Sequence, residues 1–248
     1  METANFHGCG VVYVATGERF VEAARRSARS VRRNNPGLPI VLFSEAGVQP
    51  ASEANADFDV VNPLESPHRR SKVDVLARSP FERTLYLDAD ICVYANLAEV
   101  FGTLDRFDIA LAHAHARNRA LTNQVWRTPI PESFPQLNGG VIAFRGTPEV
   151  RAFLTSWSEA FRAAGFRKDQ VTLRELLWLS ELRIATLPPE FNLRYLKYLW
   201  VWPRREARPR IMHLKAFAGA GAFARWLDGC LRWKLEGTHA DHRDPQER

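Results

Sequence analysis

The stretch Thr84-Leu85-Tyr86-Leu87-Asp88-Ala89-Asp90-Ile91 sets a short apolar run directly against two carboxylates two positions apart. Leu85-Tyr86-Leu87 is too short for a buried helix and apolar enough for a buried strand. In an α/β sheet the carboxyl ends of the strands form the ligand edge. Both aspartates are therefore predicted to stand at that edge. A hard divalent cation takes oxygen ligands, and one that also bridges a diphosphate needs only a few from the protein. Asp88 and Asp90 meet that requirement. On its own the same pair also suits a turn with solvated acids.

Outward from this motif, apolar strands alternate with helical patterns. Val11 to Val14, Ile40 to Phe43 and Phe58 to Val61 read as three earlier strands. Between the first two, Phe20, Ala24, Ala28 and Val31 recur at helical spacing through Glu18 to Arg33, and Asn34-Asn35-Pro36-Gly37 ends that helix. A short helix is expected around Ser71 to Ala77. Ile109 to Ala112 and Val141 to Phe144 add strands, Pro148 to Ala164 and Gln170 to Leu179 helices, and Ile211 to His213 a late strand. The succession predicts an α/β fold whose central sheet is mainly parallel and flanked by helices. Ala116 to Gln136 is a long polar connection suited to a lid or acceptor loop.

Composition narrows the function classes. The chain has 248 residues, 46% of them hydrophobic, enough for one large core, and no apolar run approaches the length of a membrane-crossing helix. Cys9, Cys92 and Cys230 stand far apart, which fits a reducing compartment rather than a disulfide framework or a cysteine zinc site. Met1 to Gly10 has neither the basic region nor the apolar stretch of a signal peptide, so a cytoplasmic location is expected. The net charge of +6 favours anionic partners: nucleic acid, a membrane surface or a phosphorylated substrate.

Other residues add candidate chemistry. His213 ends a strand with an imidazole suited to Mn(II), or is a hydrogen-bonded structural histidine. Asn138 precedes Gly139 and Gly140, which permit close backbone approach to a ligand or simply make a turn. Asp169 and Gln170 open a helix, where the aspartate also suits an N-cap. Lys72 is either a solvated helix lysine or a cation facing a diphosphate. Tyr195, Tyr198, Trp200 and Trp202 lie among Arg194, Lys197, Arg204 and Arg205. That group suits stacking on an acceptor sugar, a peripheral membrane contact, or ordinary half-buried packing.

Taken in order, these motifs resemble the GT-A glycosyltransferases, especially glycosyltransferase family 8, which includes glycogenin and bacterial lipooligosaccharide galactosyltransferases. The resemblance runs from about Val11 to His213. It rests on Val14-Ala15-Thr16, Lys72, Leu87-Asp88-Ala89-Asp90, Leu137-Asn138-Gly139-Gly140-Val141, Asp169-Gln170, Phe191-Asn192 and His213. It implies a single Rossmann-like GT-A domain over residues 1–235, with 236–248 as a C-terminal tail.

It further implies a retaining, metal-dependent hexosyltransferase that uses a nucleotide diphosphate sugar, of the UDP-sugar type. Asp88, Asp90 and His213 would bind Mn(II), with Mg(II) as the alternative ion. Asp169 and Gln170 would be catalytic. Ala15, Thr16, Phe20, Lys72, Asp88, Ala89, Asn138, Gly139, Gly140, Asn192 and Lys215 would contact the donor. The acceptor is a hydroxyl on a glycan, lipid or protein.

Two departures stand out. Gly17 occupies a place where many relatives carry an acidic or amide residue toward the base, with Phe20 at the usual aromatic position. The Gly-x-x-Lys-Pro-Trp pattern expected after His213 is absent, which leaves Lys215 or Arg225 in its place.

Two rival readings differ in class. A haloacid-dehalogenase-like phosphohydrolase would use Asp88 as nucleophile, but its motif normally follows the first strand and continues with Gly-Thr-like residues. Here it follows three strands and continues Ile91-Cys92-Val93. A basic nucleic-acid-binding module fits the charge, yet no RNA-recognition or helix-turn-helix signature accompanies it.

Overall fold

The computed structural model describes residues 8–45, 57–116, 120, 123–201, 207–219 and 221–235. The expected tail 236–248 and the segment 1–7 lie outside them. Nine strands are described: β1 (Cys9–Val14), β2 (Ile40–Ser44), β3 (Val60–Pro63), β4 (Arg83–Leu87), β5 (Ile91–Val93), β6 (Ile109–His113), β7 (Leu137–Arg145), β8 (Ile184–Leu187) and β9 (Ile211–His213). The α-helices are α1 (Glu18–Asn34), α2 (Lys72–Val75), α3 (Ala98–Thr103), α4 (Pro148–Ala164), α5 (Gln170–Leu179), α6 (Tyr198–Val201) and α7 (Ala222–Leu235).

Seven strands form one sheet in the order β3-β2-β1-β4-β7-β6-β8, while β5 and β9 pair separately. β3, β2, β1 and β4 run parallel, with Tyr13 opposite Leu87. β7 is antiparallel to both β4 and β6, and β6 pairs parallel with β8. The reversal of β7 matters for the site. It brings the strand's first residues, Leu137-Asn138-Gly139-Gly140, to the edge where β1 and β4 end.

The strands read as continuous apolar runs because both sheet faces are covered. Val11, Tyr13, Leu85 and Leu87 pack with Ala24, Ala28 and Val31 of α1 and with Val100 and Phe101 of α3. Their neighbours Val12, Tyr86, Ile142 and Phe144 point the other way, against Val73, Leu154, Trp157 and Leu173 of α2, α4 and α5. A third cluster joins Cys92, Met212 and Leu214 to Leu227, Leu231 and Leu235 of α7.

Local chemistry sets the helix ends. Thr147 accepts from the Val150 amide, Pro148 opens α4 at a position needing no amide donor, and Gly165 closes it at φ 63°. α1 starts after Gly17, whose φ of 78° favours glycine.

Two expectations change, and the long connection takes a definite place. The third strand begins at Val60 rather than Phe58, which is buried and meets Tyr13 edge-on with ring centroids 6.1 Å apart. Phe20 does not join the apolar face of α1 but is 47% exposed. The described part of the long connection is clamped to α5: Arg174 donates to the carbonyls of Ile130, Pro131 and Phe134, and Glu175 accepts from the amides of Arg127 and Thr128. Those bonds hold this part of the connection against α5.

Candidate active site

Asp88 follows β4, and its amide donates to the Gly140 carbonyl, so the β4–β7 pairing continues into the acidic motif. Side chains two apart on a strand share a face. Tyr86 accordingly reaches Asp88, its hydroxyl donating to Oδ1 at 2.6 Å. Burial, with the carboxylate of Asp88 beside it, pushes the Tyr86 phenol far above its ordinary range and keeps it a donor.

β5 follows Asp90 at once and pairs antiparallel with β9, setting Ile91 opposite His213. That pairing closes the gap in sequence between the aspartates and the histidine. His213 Nε2 lies 3.1 Å from Asp90 Oδ1 and 3.6 Å from Asp88 Oδ2. One ligand atom from each of the three residues lies within 4.8 Å of the others.

The imidazole is fixed from behind, its Nδ1 standing 2.9 Å from Asn192 Oδ1, and Asn192 Nδ2 donates to Asn138 Oδ1. With Nδ1 as donor, Nε2 is turned toward the carboxylates, the way a ligating histidine is oriented. Two electron-rich atoms 3.1 Å apart need a cation between them, a proton or a metal ion. The O, O, N donor set fits Mn(II), with Mg(II) the poorer partner for imidazole. Gly140 makes room for the ring: a Cβ there would overlap His213 and stand 2.8 Å from Asp88 Oδ2.

Lys72 is not a solvated helix lysine, since only 6% of it is exposed. Its ammonium donates to the Gly139 carbonyl at 2.5 Å and lies 3.3 Å from Asp88 Oδ1 and 3.2 Å from Asp169 Oδ2. Burial opposes its charge, but the Asp169 and Asp88 carboxylates outweigh that and leave its pKa above the usual lysine value. Burial likewise works against ionisation of the two motif acids. Lys72 and His213 for Asp88, and His213 and Arg194 for Asp90, hold both below the ordinary carboxylate range.

Asp169 precedes α5 without capping it through its side chain. It is 2% exposed, and faces Lys72 and, at 3.6 Å, Arg70. Its carbonyl accepts from the indole of the fully buried Trp157 on α4, which anchors the start of α5. Gln170 comes next; a Cβ on Gly139 would stand 3.9 Å from its Cγ.

The remaining residues separate by position. Ala15 and Thr16 lie just past β1, one strand from Asp88, with Phe20 in the first turn of α1. Ala89, between the two aspartates, is buried. Asn192 is fully buried and bonds both His213 and Asn138. Lys215 is exposed on a 3-10 turn after β9, a turn that Arg26 ties to α1 through the Phe217 carbonyl. Arg225 is also exposed, on α7.

Arg194 enters the site unexpectedly, its Nη1 standing 3.0 Å from His213 Nε2 and 3.2 Å from Nδ1. The bridge between Leu193 and Met212 turns Asn192 and Arg194 to the side of His213. That two-residue alternation was the available signal.

A cleft of about 800 Å³ opens among His115, Gln136, Arg174, Tyr195, Lys197 and Tyr198, Gln136 standing just before β7 and Tyr195 next to Arg194 in the chain. The rings of His115, Tyr195 and Tyr198 lie 5.4–6.3 Å apart. The Trp200 side chain and Trp202, Arg204 and Arg205 lie outside the described residues.

No protein-family model and no curated protein sequence matches the chain. Solved structures do. The galactosyltransferase LgtC, solved with donor and acceptor sugar analogs, superposes with TM-score 0.59 at 17% identity, over 96% of this chain and 98% of LgtC. Mouse xyloside xylosyltransferase 1 gives 0.56 at 16%, over 82% and 96%. The glycosyltransferase GlyE of Streptococcus pneumoniae gives 0.58 at 17%, over 82% of this chain and 54% of GlyE, so the chain spans about half of that protein. The fold is thus the GT-A fold of these glycosyltransferases.

Proposed function

We propose that this protein is a metal-dependent, retaining glycosyltransferase that moves a hexose from a nucleotide diphosphate sugar, of the UDP-sugar type, to a hydroxyl acceptor. The observation that carries this reading is the convergence of Asp88, Asp90 and the oriented Nε2 of His213 at the carboxyl edge of a GT-A sheet, beside Lys72, Asp169 and Gln170. A dehalogenase-like nucleophile needs no such imidazole, and the fold gives that alternative no support.

Asp88, Asp90 and His213 would hold a divalent ion, which when bound supplies Lewis acidity that neutralises charge on the leaving diphosphate. Lys72 fixes Asp88, Asp169 and the Gly139 carbonyl in one arrangement. Asp169 orients the transferred sugar through its hydroxyls. Gln170 stabilises positive charge developing at the anomeric carbon through its amide oxygen. A neutral amide is a poor nucleophile, which favours attack from the face of departure, the leaving phosphate accepting the acceptor's proton. The aromatic cleft reaching Tyr195, next in the chain to Arg194, suits the acceptor, a pyranose stacking on Tyr195. Phe223 and Trp226, both exposed on α7 with ring centroids 5.8 Å apart, are where a peripheral contact with the inner face of a membrane would form.

A panel of UDP-, GDP- and ADP-sugars with Mn(II), followed by thermal shift and nucleotide release, tests the donor. Stabilisation and slow hydrolysis of one of them are expected. Hydrolysis of simple phosphate esters with no response to any sugar nucleotide would refute the reading. Product NMR checks stereochemistry, with an alpha-linked product expected from an alpha-linked donor.

A further inference from the structure

Of the described cations around the acidic cluster, Lys72 is locked by three partners, and Arg70 faces Asp169. Arg194 is placed differently. Its Nη1 is nearly equidistant from the two ring nitrogens of His213. A nitrogen in the ring plane at those distances would collide with Cε1, so the guanidinium lies over the ring face. The in-plane positions are already committed, Nδ1 to Asn192 and Nε2 toward Asp90. Arg194 therefore contributes charge toward Asp90 rather than a directed bond within the imidazole plane. It is only partly buried, and a long side chain on a surface segment can turn.

On the reading that this site takes a divalent ion and a diphosphate, we propose that Arg194 is a mobile counter-cation. It balances the Asp88–Asp90 pair while no ion is held, gives way to the ion, and turns its guanidinium onto the donor's diphosphate. Like charges beside the same carboxylates oppose each other, so the parked guanidinium weakens binding of the ion alone. The planar fork of an arginine matches phosphate oxygens, so a bound diphosphate draws it off and removes that opposition. Ion and nucleotide then strengthen one another, each by the same factor. The cation missing from the sequence after His213 is supplied from the preceding segment.

The test compares wild type, Arg194→Met and Arg194→Lys, each checked for an unchanged melting profile. Binding of Mn(II) alone is read by electron paramagnetic resonance. Binding of UDP or GDP, whichever wild type takes more tightly, is read by calorimetry at saturating Mn(II). Arg194→Met is expected to bind Mn(II) alone about three- to tenfold more tightly than wild type, and the nucleotide at least about tenfold more weakly. Arg194→Lys should return ion binding to near the wild-type value and restore nucleotide binding only in part. The opposite signs separate this role from a merely structural one. If wild type binds both and Arg194→Met changes neither, the proposal fails while the proposed function stands. If wild type binds neither, both fall.

Discussion

Replacing Lys72 with methionine tests the centre of the site most directly. The substitution keeps most of the apolar stem and removes the ammonium, so little cavity cost is added. Asp169, 2% exposed, loses a cation at 3.2 Å, and Asp88 loses one at 3.3 Å. Deleting one member of a buried ion pair costs about 3–5 kcal/mol. For a chain of this length that lowers the melting temperature by about 6–20 °C. The deficit is also pH-dependent. Asp88 has a folded pKa below its ordinary 3.8, so its contribution is present above that value and is lost as pH falls through the folded pKa. Lys72 has a folded pKa above its ordinary 10.5, so its contribution is present below that value and is lost as pH rises through the folded pKa. The gap between wild type and Lys72→Met should therefore be widest between about pH 4 and pH 10 and narrow on either side. Melting curves followed by circular dichroism across that range measure it. A variant melting within about 1 °C of wild type at pH 7 would refute the buried-pair account.

Asp88→Asn and Asp90→Asn should each fold and lose at least about 10–100-fold in Mn(II) affinity, read by titration without donor; wild-type affinity in the double variant would remove these residues from the metal site. Gly140→Ala puts a methyl group into the His213 ring, so a loss of about 1–3 kcal/mol in stability together with Mn(II) binding is expected, and unchanged binding would show that the ring does not depend on that gap. Trp157→Phe keeps an aromatic in the core but deletes the donor to the Asp169 carbonyl, which predicts a loss of about 1–2 kcal/mol by urea unfolding and slower transfer. Gln170→Ala should slow transfer without abolishing it, and a trapped sugar adduct on Asp169 would replace same-face attack with double displacement.

What the sequence made legible follows the range of the interactions. The spans of α4 and α5 read correctly because their ends are set nearby, by Thr147, Pro148 and Gly165 for α4. The strands β5 and β8 escaped notice. Each has three or four residues, and is a strand by virtue of partners far along the chain, β9 and β6. In the site, the acids of the Asp-x-Asp motif and His213 were visible as residue types at strand ends, while Tyr86, which was not singled out, could have been found from its two-residue offset from Asp88. The burial of Lys72 was not, because it is created by Gly139 and Asp169 on other elements. The place of Arg194 likewise depends on the bridge between Leu193 and Met212.

The β5–β9 pair also sets an order of assembly. All strands of the parallel half of the sheet, β1 to β4, lie before residue 88. Residues 91–93 then wait for 211–213, a contact of long sequence separation and correspondingly late formation. Until it forms, the two aspartates at the end of β4 stand without the imidazole of His213. A chain ending before residue 211 lacks His213, the third member of the proposed metal site. If the proposed site holds an ion, binding through all three residues reports that synthesis has passed the last strand and that the ends of the site have met.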